Sequence, residues 1–111
     1  MQAERELLER IQSLIGAKKY RVAIHAVRHM IEEGFSERDV LEALAGKSRV
    51  LENYLDESRC LVLGYFQSSE GVPSPLHIVC DYSKDQLVDL ITAYIPQAPW
   101  WDSPTKRGRK Q

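Results

Sequence analysis

The chain has 111 residues, 43% hydrophobic and 28% charged, with a net charge of −1, which suits one globular domain over residues 1–111 and leaves no room for a second core. Its longest apolar runs, around Leu61 to Phe66 and Leu87 to Ile95, fall well short of the ~20 residues that span a bilayer, so no membrane association is expected. The near-neutral balance lacks the basic excess usual in nucleic-acid-binding domains, and the N-terminal stretch resembles no signal peptide, which makes the cytoplasm the expected location.

Leu7, Leu8, Ile11, Leu14 and Ile15 recur at helical spacing among charged residues, predicting an amphipathic helix within residues 1–16 that Gly16 stops. A second helical pattern runs from about Lys18 to Glu33 and ends at Gly34, a natural C-terminal cap. Ser36 then opens a third helix. Ser36-Glu37-Arg38-Asp39 reads as a capping box with Asp in the usual Glu position, and Val40, Leu41 and Leu44 supply the apolar side before Gly46.

Beyond Gly46 the period changes from helical to alternating, with strands expected at Arg49 to Tyr54, Arg59 to Gln67, Leu76 to Asp81 and Leu87 to Ile95. Short turn-rich connections favour antiparallel neighbours, because a parallel crossover needs a dozen or more residues. The fold class is therefore α+β, with two or three N-terminal helices packed on a four-stranded antiparallel sheet. Residues 1–16 form an extra helix, 20–96 the core, and 97–111 a polar, basic tail expected to fray after Pro96 and Pro99. Cys60 and Cys80 lie in apolar strand-like runs, where buried reduced thiols are common, although a disulfide between them is the alternative.

On a helical wheel Lys18, Arg21, His25, Arg28 and His29 share one side of the second helix, with Tyr20, Ile24, Val27 and Ile31 facing the core. No acid interrupts this stripe before Glu32. It reads either as a solvated face or as a grip for a phosphate backbone, arginine giving forked hydrogen bonds and histidine a proton carrier near neutral pH. His77 lies on the face of its strand opposite Leu76, Ile78 and Cys80. A four-residue loop at Ser83 to Gln86 would set it across from Thr92 and diagonal to Tyr94.

Two imidazoles, an arginine and a tyrosine suffice for metal-free RNA cleavage, a base deprotonating the ribose 2′-hydroxyl and an acid protonating the leaving oxygen. The candidate residues are Lys18, Arg21, His25, Arg28 and His29 of the stripe, His77, Thr92 and Tyr94 of the sheet face, and Arg107 of the basic tail. Neither metal nor cofactor is expected: the stripe is read as lacking a carboxylate partner, Glu32 being the nearest acid, and the sequence has neither a glycine-rich phosphate loop nor a nucleophile elbow. Trp100 and Trp101 read either as core cover or as an exposed anchor.

The landmarks His25-Ala26-Val27-Arg28-His29-Met30, Gly34-Phe35-Ser36-Glu37-Arg38-Asp39-Val40, Gly64, Pro75-Leu76-His77-Ile78-Val79 and Thr92-Ala93-Tyr94-Ile95-Pro96, followed by Trp100, together resemble the domain-of-unknown-function family 4258, from about Tyr20 to Arg107. That family is similar to the RelE-like toxins of bacterial toxin–antitoxin modules, small helix-then-sheet domains that cut messenger RNA, commonly at the ribosome. The resemblance implies a toxin-like ribonuclease with His25, Arg28, His77 and Tyr94 as its catalytic set and Lys18, Arg21, His29, Thr92 and Arg107 on substrate, with RNA or the ribosome as target and a zinc-finger-type antitoxin as protein partner. A non-catalytic module binding protein or nucleic acid is the alternative reading.

Overall fold

A computed structural model describes residues 2–108. The order is α1 (Gln2–Gly16), β1 (Tyr20–Val22), α2 (Ile24–Glu33), α3 (Glu37–Ala45), β2 (Arg49–Tyr54), β3 (Arg59–Gln67), β4 (Pro73–Asp81), β5 (Val88–Tyr94), β6 (Trp101–Ser103) and β7 (Lys106–Arg107). This is an α+β fold with three helices. Its main sheet is five-stranded and mixed, in the order β1-β5-β4-β3-β2, and β6 and β7 form a separate hairpin.

The expectation of four antiparallel strands is corrected by β1, which pairs parallel to β5 through Tyr20↔Val88 and Val22↔Leu90. Residues read as the first turns of a long helix are a strand instead, and Lys18 breaks the helical path with a left-handed φ of 62°. Backbone bonds from Val88 N to Lys19 O and from Ala23 N to Leu90 O stitch the segment to β5. Tertiary pairing overrides local helical spacing here, as it readily does for three residues that include an aromatic and a β-branched side chain.

The local helix signals hold elsewhere. Gly34 caps α2 at φ 80°, and the Ser36–Asp39 capping box is complete in both directions. The buried core lies between the helices and one sheet face, where Ile11 of α1, Val40 and Leu44 of α3, and Val62, Leu76, Ile78 and Leu90 of the sheet are all fully buried. Each such side chain contributes about 1.5–3 kcal/mol of transfer free energy. Gly64 is dictated by this packing: a Cβ there would stand 2.1 Å from the Ala43 carbonyl oxygen of α3. Cys60 and Cys80 are buried free thiols facing one another across β3 and β4.

The second helix turns a different side to the core from the one expected. Ala26 is its one fully buried residue, Met30 packs against the main core, and Glu33 Oε1 accepts a 2.8 Å hydrogen bond from Ile95 N just past β5. Residues 26, 30 and 33 form an i, i+4, i+7 line, so anchoring them to the sheet rotates the opposite line outward. Ile24 is accordingly 73% and Ile31 78% exposed.

The opposite sheet face is covered by the chain after Pro99. Rather than fraying, residues 101–107 fold into the β6–β7 hairpin and bury Trp101 against the sheet. Leu61, Leu63 and His77, which alternation directs to this face, are buried as well. Arg109 and Lys110 of the basic tail lie outside the described residues.

Candidate functional site

The register between β4 and β5 brings the outer face together. His77 pairs directly with Tyr94, Val79 with Thr92, and Cys80 with Leu90, so Ile91 is an extra residue in β5. Relative to the expected pairing, the loop shifts the register by one residue and this bulge by a second. Two odd shifts restore the parity, so His77, Thr92 and Tyr94 share a face although the partner of His77 changes from Thr92 to Tyr94.

His77 is fully buried. Its Nε2 lies 2.6 Å from the Pro104 carbonyl oxygen, which can only accept, so Nε2 carries the proton and Nδ1 accepts from the Tyr94 hydroxyl at 3.2 Å. Burial holds the imidazole below its ordinary pKa, the Pro104 bond opposing in part. The Trp101 ring stands edge-on to it with centroids 4.3 Å apart. A neutral histidine with both ring nitrogens engaged clamps the hairpin turn and steers Tyr94, whose own pKa burial raises.

The hairpin is held at its other end by charge. Arg107 donates from Nε and Nη2 to the two carboxylate oxygens of Glu52 on β2, both at 2.8 Å, while its guanidinium carbon lies 4.7 Å from the Trp101 ring centroid. Tyr54 donates a hydrogen bond to the same carboxylate. The Arg107 bond is the main force holding the Glu52 carboxyl below the usual carboxylate range. Burial first, and then the bond to Glu52, pushes Tyr54 up to about 12.

Between α2, the end of β5 and the hairpin lies a cavity of about 500 Å³, walled by Tyr94, Ile95, Trp100 and Trp101 with His29, Glu33 and Arg107 at its polar side. His29 and Glu33, one helical turn apart, are joined by a 2.6 Å contact between Nδ1 and Oε2. With the Nδ1 proton on this bond, Nε2 is left without a partner among the described residues. Arg107 Nη1 is likewise uncommitted among them. The arrangement offers a proton acceptor, a cation and aromatic surface in one recess.

The structure brings together four of the nine site residues read from the sequence: His29, His77, Tyr94 and Arg107. His25 and Arg28 are exposed on α2 outside this cavity. Lys18 and Arg21 are not on the helix at all, and Arg21 is paired with Asp89 at 2.8 Å. Thr92 shares the sheet face but does not reach the recess. Glu33, the carboxylate partner absent from the sequence reading, was visible as the residue four beyond His29. Glu52 carried no local signal. The two tryptophans divide the two readings between them, Trp101 buried and Trp100 71% exposed. Among the described residues no three His, Cys, Asp or Glu side chains converge as a metal site would need.

No helix among the described residues is long and apolar enough to cross a membrane. Neither curated proteins nor solved structures give a significant match to the chain. The model of the Domain of unknown function (DUF4258) matches residues 24–95, the span that carries α2, His77 and Tyr94, and the chain belongs to that family.

Proposed function

We propose that this protein is a cytoplasmic, metal-independent ribonuclease similar to the RelE-like toxins, restrained by a protein antitoxin. The observation that carries the reading is the His29–Glu33 pair set beside Arg107 and Tyr94 at the aromatic recess. Glu33 fixes the tautomer and direction of His29, which is what a general base requires of its partner. Nε2 of His29 takes the 2′-hydroxyl proton as the 2′-oxygen attacks phosphorus. The bond from phosphorus to the 5′-oxygen breaks, leaving a 2′,3′-cyclic phosphate. A solvent water protonates the departing 5′-oxygen, and the hydroxide formed recovers the proton held by His29. Arg107 Nη1 stabilises the phosphorane charge. Tyr94, kept neutral by its raised pKa and directed by His77, positions the ribose, and exposed Trp100 gives a base a stacking surface. His25 and Arg28, on the neighbouring helix face, serve attraction of the RNA.

One observation favours the alternative of a non-catalytic binding module. Ile24 and Ile31, seven residues apart on α2, present two large apolar side chains to solvent, the spacing by which a helix face docks a partner. Tightly controlled induction in a bacterial host separates the readings. A ribonuclease arrests growth and cleaves RNA, and His29→Ala lowers cleavage by about 10²–10⁴-fold, the usual worth of a general base. Normal growth with intact RNA refutes the ribonuclease reading and leaves the binding module, whereas unchanged cleavage by His29→Ala refutes His29 as the base.

A further inference from the structure

The outer sheet face continues past the hairpin on the side away from His29. Around the aromatic recess and beyond it toward the β4–β5 loop, its charges are matched: Arg59 with Asp81, Arg21 and Lys84 with Asp89, and Arg107 with Glu52. At the opposite end the match stops. Arg49 on β2 stands across from Leu63, and continuing that register by two residues sets Lys47 beside Tyr65 on the same face. Neither Lys47 nor Arg49 makes an ion pair among the described residues. Register places Pro75 opposite Tyr65 and His77 opposite Leu63, so β4 contributes no acid there.

These side chains surround a second concavity of about 340 Å³, lined by Lys47, Arg49, Leu63, Tyr65 and Thr105. Tyr65 is 43% exposed. Thr105 belongs to the turn of the same hairpin whose Trp101 and Arg107 wall the aromatic recess, so the two hollows lie on either side of one hairpin.

The geometry points to a second subsite for single-stranded RNA, with Lys47 and Arg49 on backbone phosphate and Tyr65 under an unstacked base, reached by a strand that crosses the hairpin from the recess. This rests on the RNA reading above and adds to it a binding track with a direction across the sheet. Two cations without an ion pair among the described residues, Arg49 at the start of β2 and Lys47 two residues before it, match the repeated charge of a nucleic-acid backbone. An exposed tyrosine adds a stacking platform available to single-stranded bases and closed to paired ones.

The test is equilibrium binding of 2′-O-methyl RNA, which lacks the attacking hydroxyl, as a dinucleotide and as an oligomer of about twelve nucleotides, a length within the usual single-strand site sizes. The double variant Lys47→Ala/Arg49→Ala is expected to reduce the salt slope of oligomer affinity by about 1.4, at about 0.7 per lost phosphate contact. Tyr65→Ala is expected to weaken the oligomer about tenfold, and both variants bind the dinucleotide as the unchanged protein does. All three side chains being surface groups, circular dichroism checks that the fold is kept. If the unchanged protein binds both RNAs and the double variant retains the oligomer slope and affinity, the second subsite is refuted and the recess stands. If the unchanged protein binds neither, the RNA reading falls and takes the subsite with it. If duplex RNA or an acidic peptide competes as well as the oligomer, a single-strand track is excluded.

Discussion

Replacing His77 by Phe tests whether this histidine clamps the hairpin. The substitution keeps an aromatic ring of similar volume, so packing loss is small, but it removes both polar contacts of the ring. Tyr94 loses its acceptor at 3.2 Å and the Pro104 carbonyl its donor at 2.6 Å. Leaving two such groups unpaired costs about 2–4 kcal/mol in total, at about 1–3 each with some recovery through water. The hairpin can escape this cost by lifting off the sheet, since the turn residue Pro104 is only partly buried. The cost therefore falls on hairpin docking before it falls on the core. The chain has two tryptophans, Trp100 and Trp101, both in this segment, so tryptophan fluorescence reports the hairpin and far-ultraviolet circular dichroism the whole fold. In urea the two probes should coincide for the unchanged protein, whereas in His77→Phe the fluorescence transition should move to lower denaturant than the dichroism transition. If both transitions shift together by the full amount, His77 is an integral part of the cooperative core and the clamp argument is wrong.

Gly64→Ala should destabilise the fold by about 1–3 kcal/mol in thermal unfolding, because a methyl group 2.1 Å from the Ala43 carbonyl oxygen forces α3 away from β3; equal or raised stability would mean that the helix can shift freely. Acid should loosen the hairpin through Glu52. Its folded pKa is depressed, chiefly by Arg107, so its contribution is present above the ordinary value of 4.5 and is lost as pH falls through the lower folded value. Tryptophan fluorescence followed downward from neutral pH should report hairpin release in that acidic window, and Glu52→Gln should remove the Glu52-dependent part of the transition; an unaltered acid profile in the variant would assign the release to another group.

Features governed by neighbours along the chain were legible in the sequence. The capping box at Ser36 and Asp39, the left-handed stop at Gly34, and strands β2 and β3 with their boundaries all follow from steric and hydrogen-bonding preferences acting over a few residues. The pairing of His29 with Glu33 was equally available, being one helical turn. Alternation along β5 put Thr92 and Tyr94 on one face, but His77 shares it only because the bulge at Ile91 offsets the one-residue shift at the loop.

Other features depended on contacts between distant segments. Whether Tyr20–Val22 continued a helix or joined β5 was decided by an open sheet edge supplied by residues 88–90. Which side of α2 met the core was decided by close packing at Ala26 and the Glu33 bond to Ile95, against the larger apolar bulk of Ile24 and Ile31. The site itself depended most on such contacts. Arg107 and Glu52 are 55 residues apart, and no spacing rule links them, so only the folding of the last residues back over the sheet could turn a basic tail into the wall of a recess.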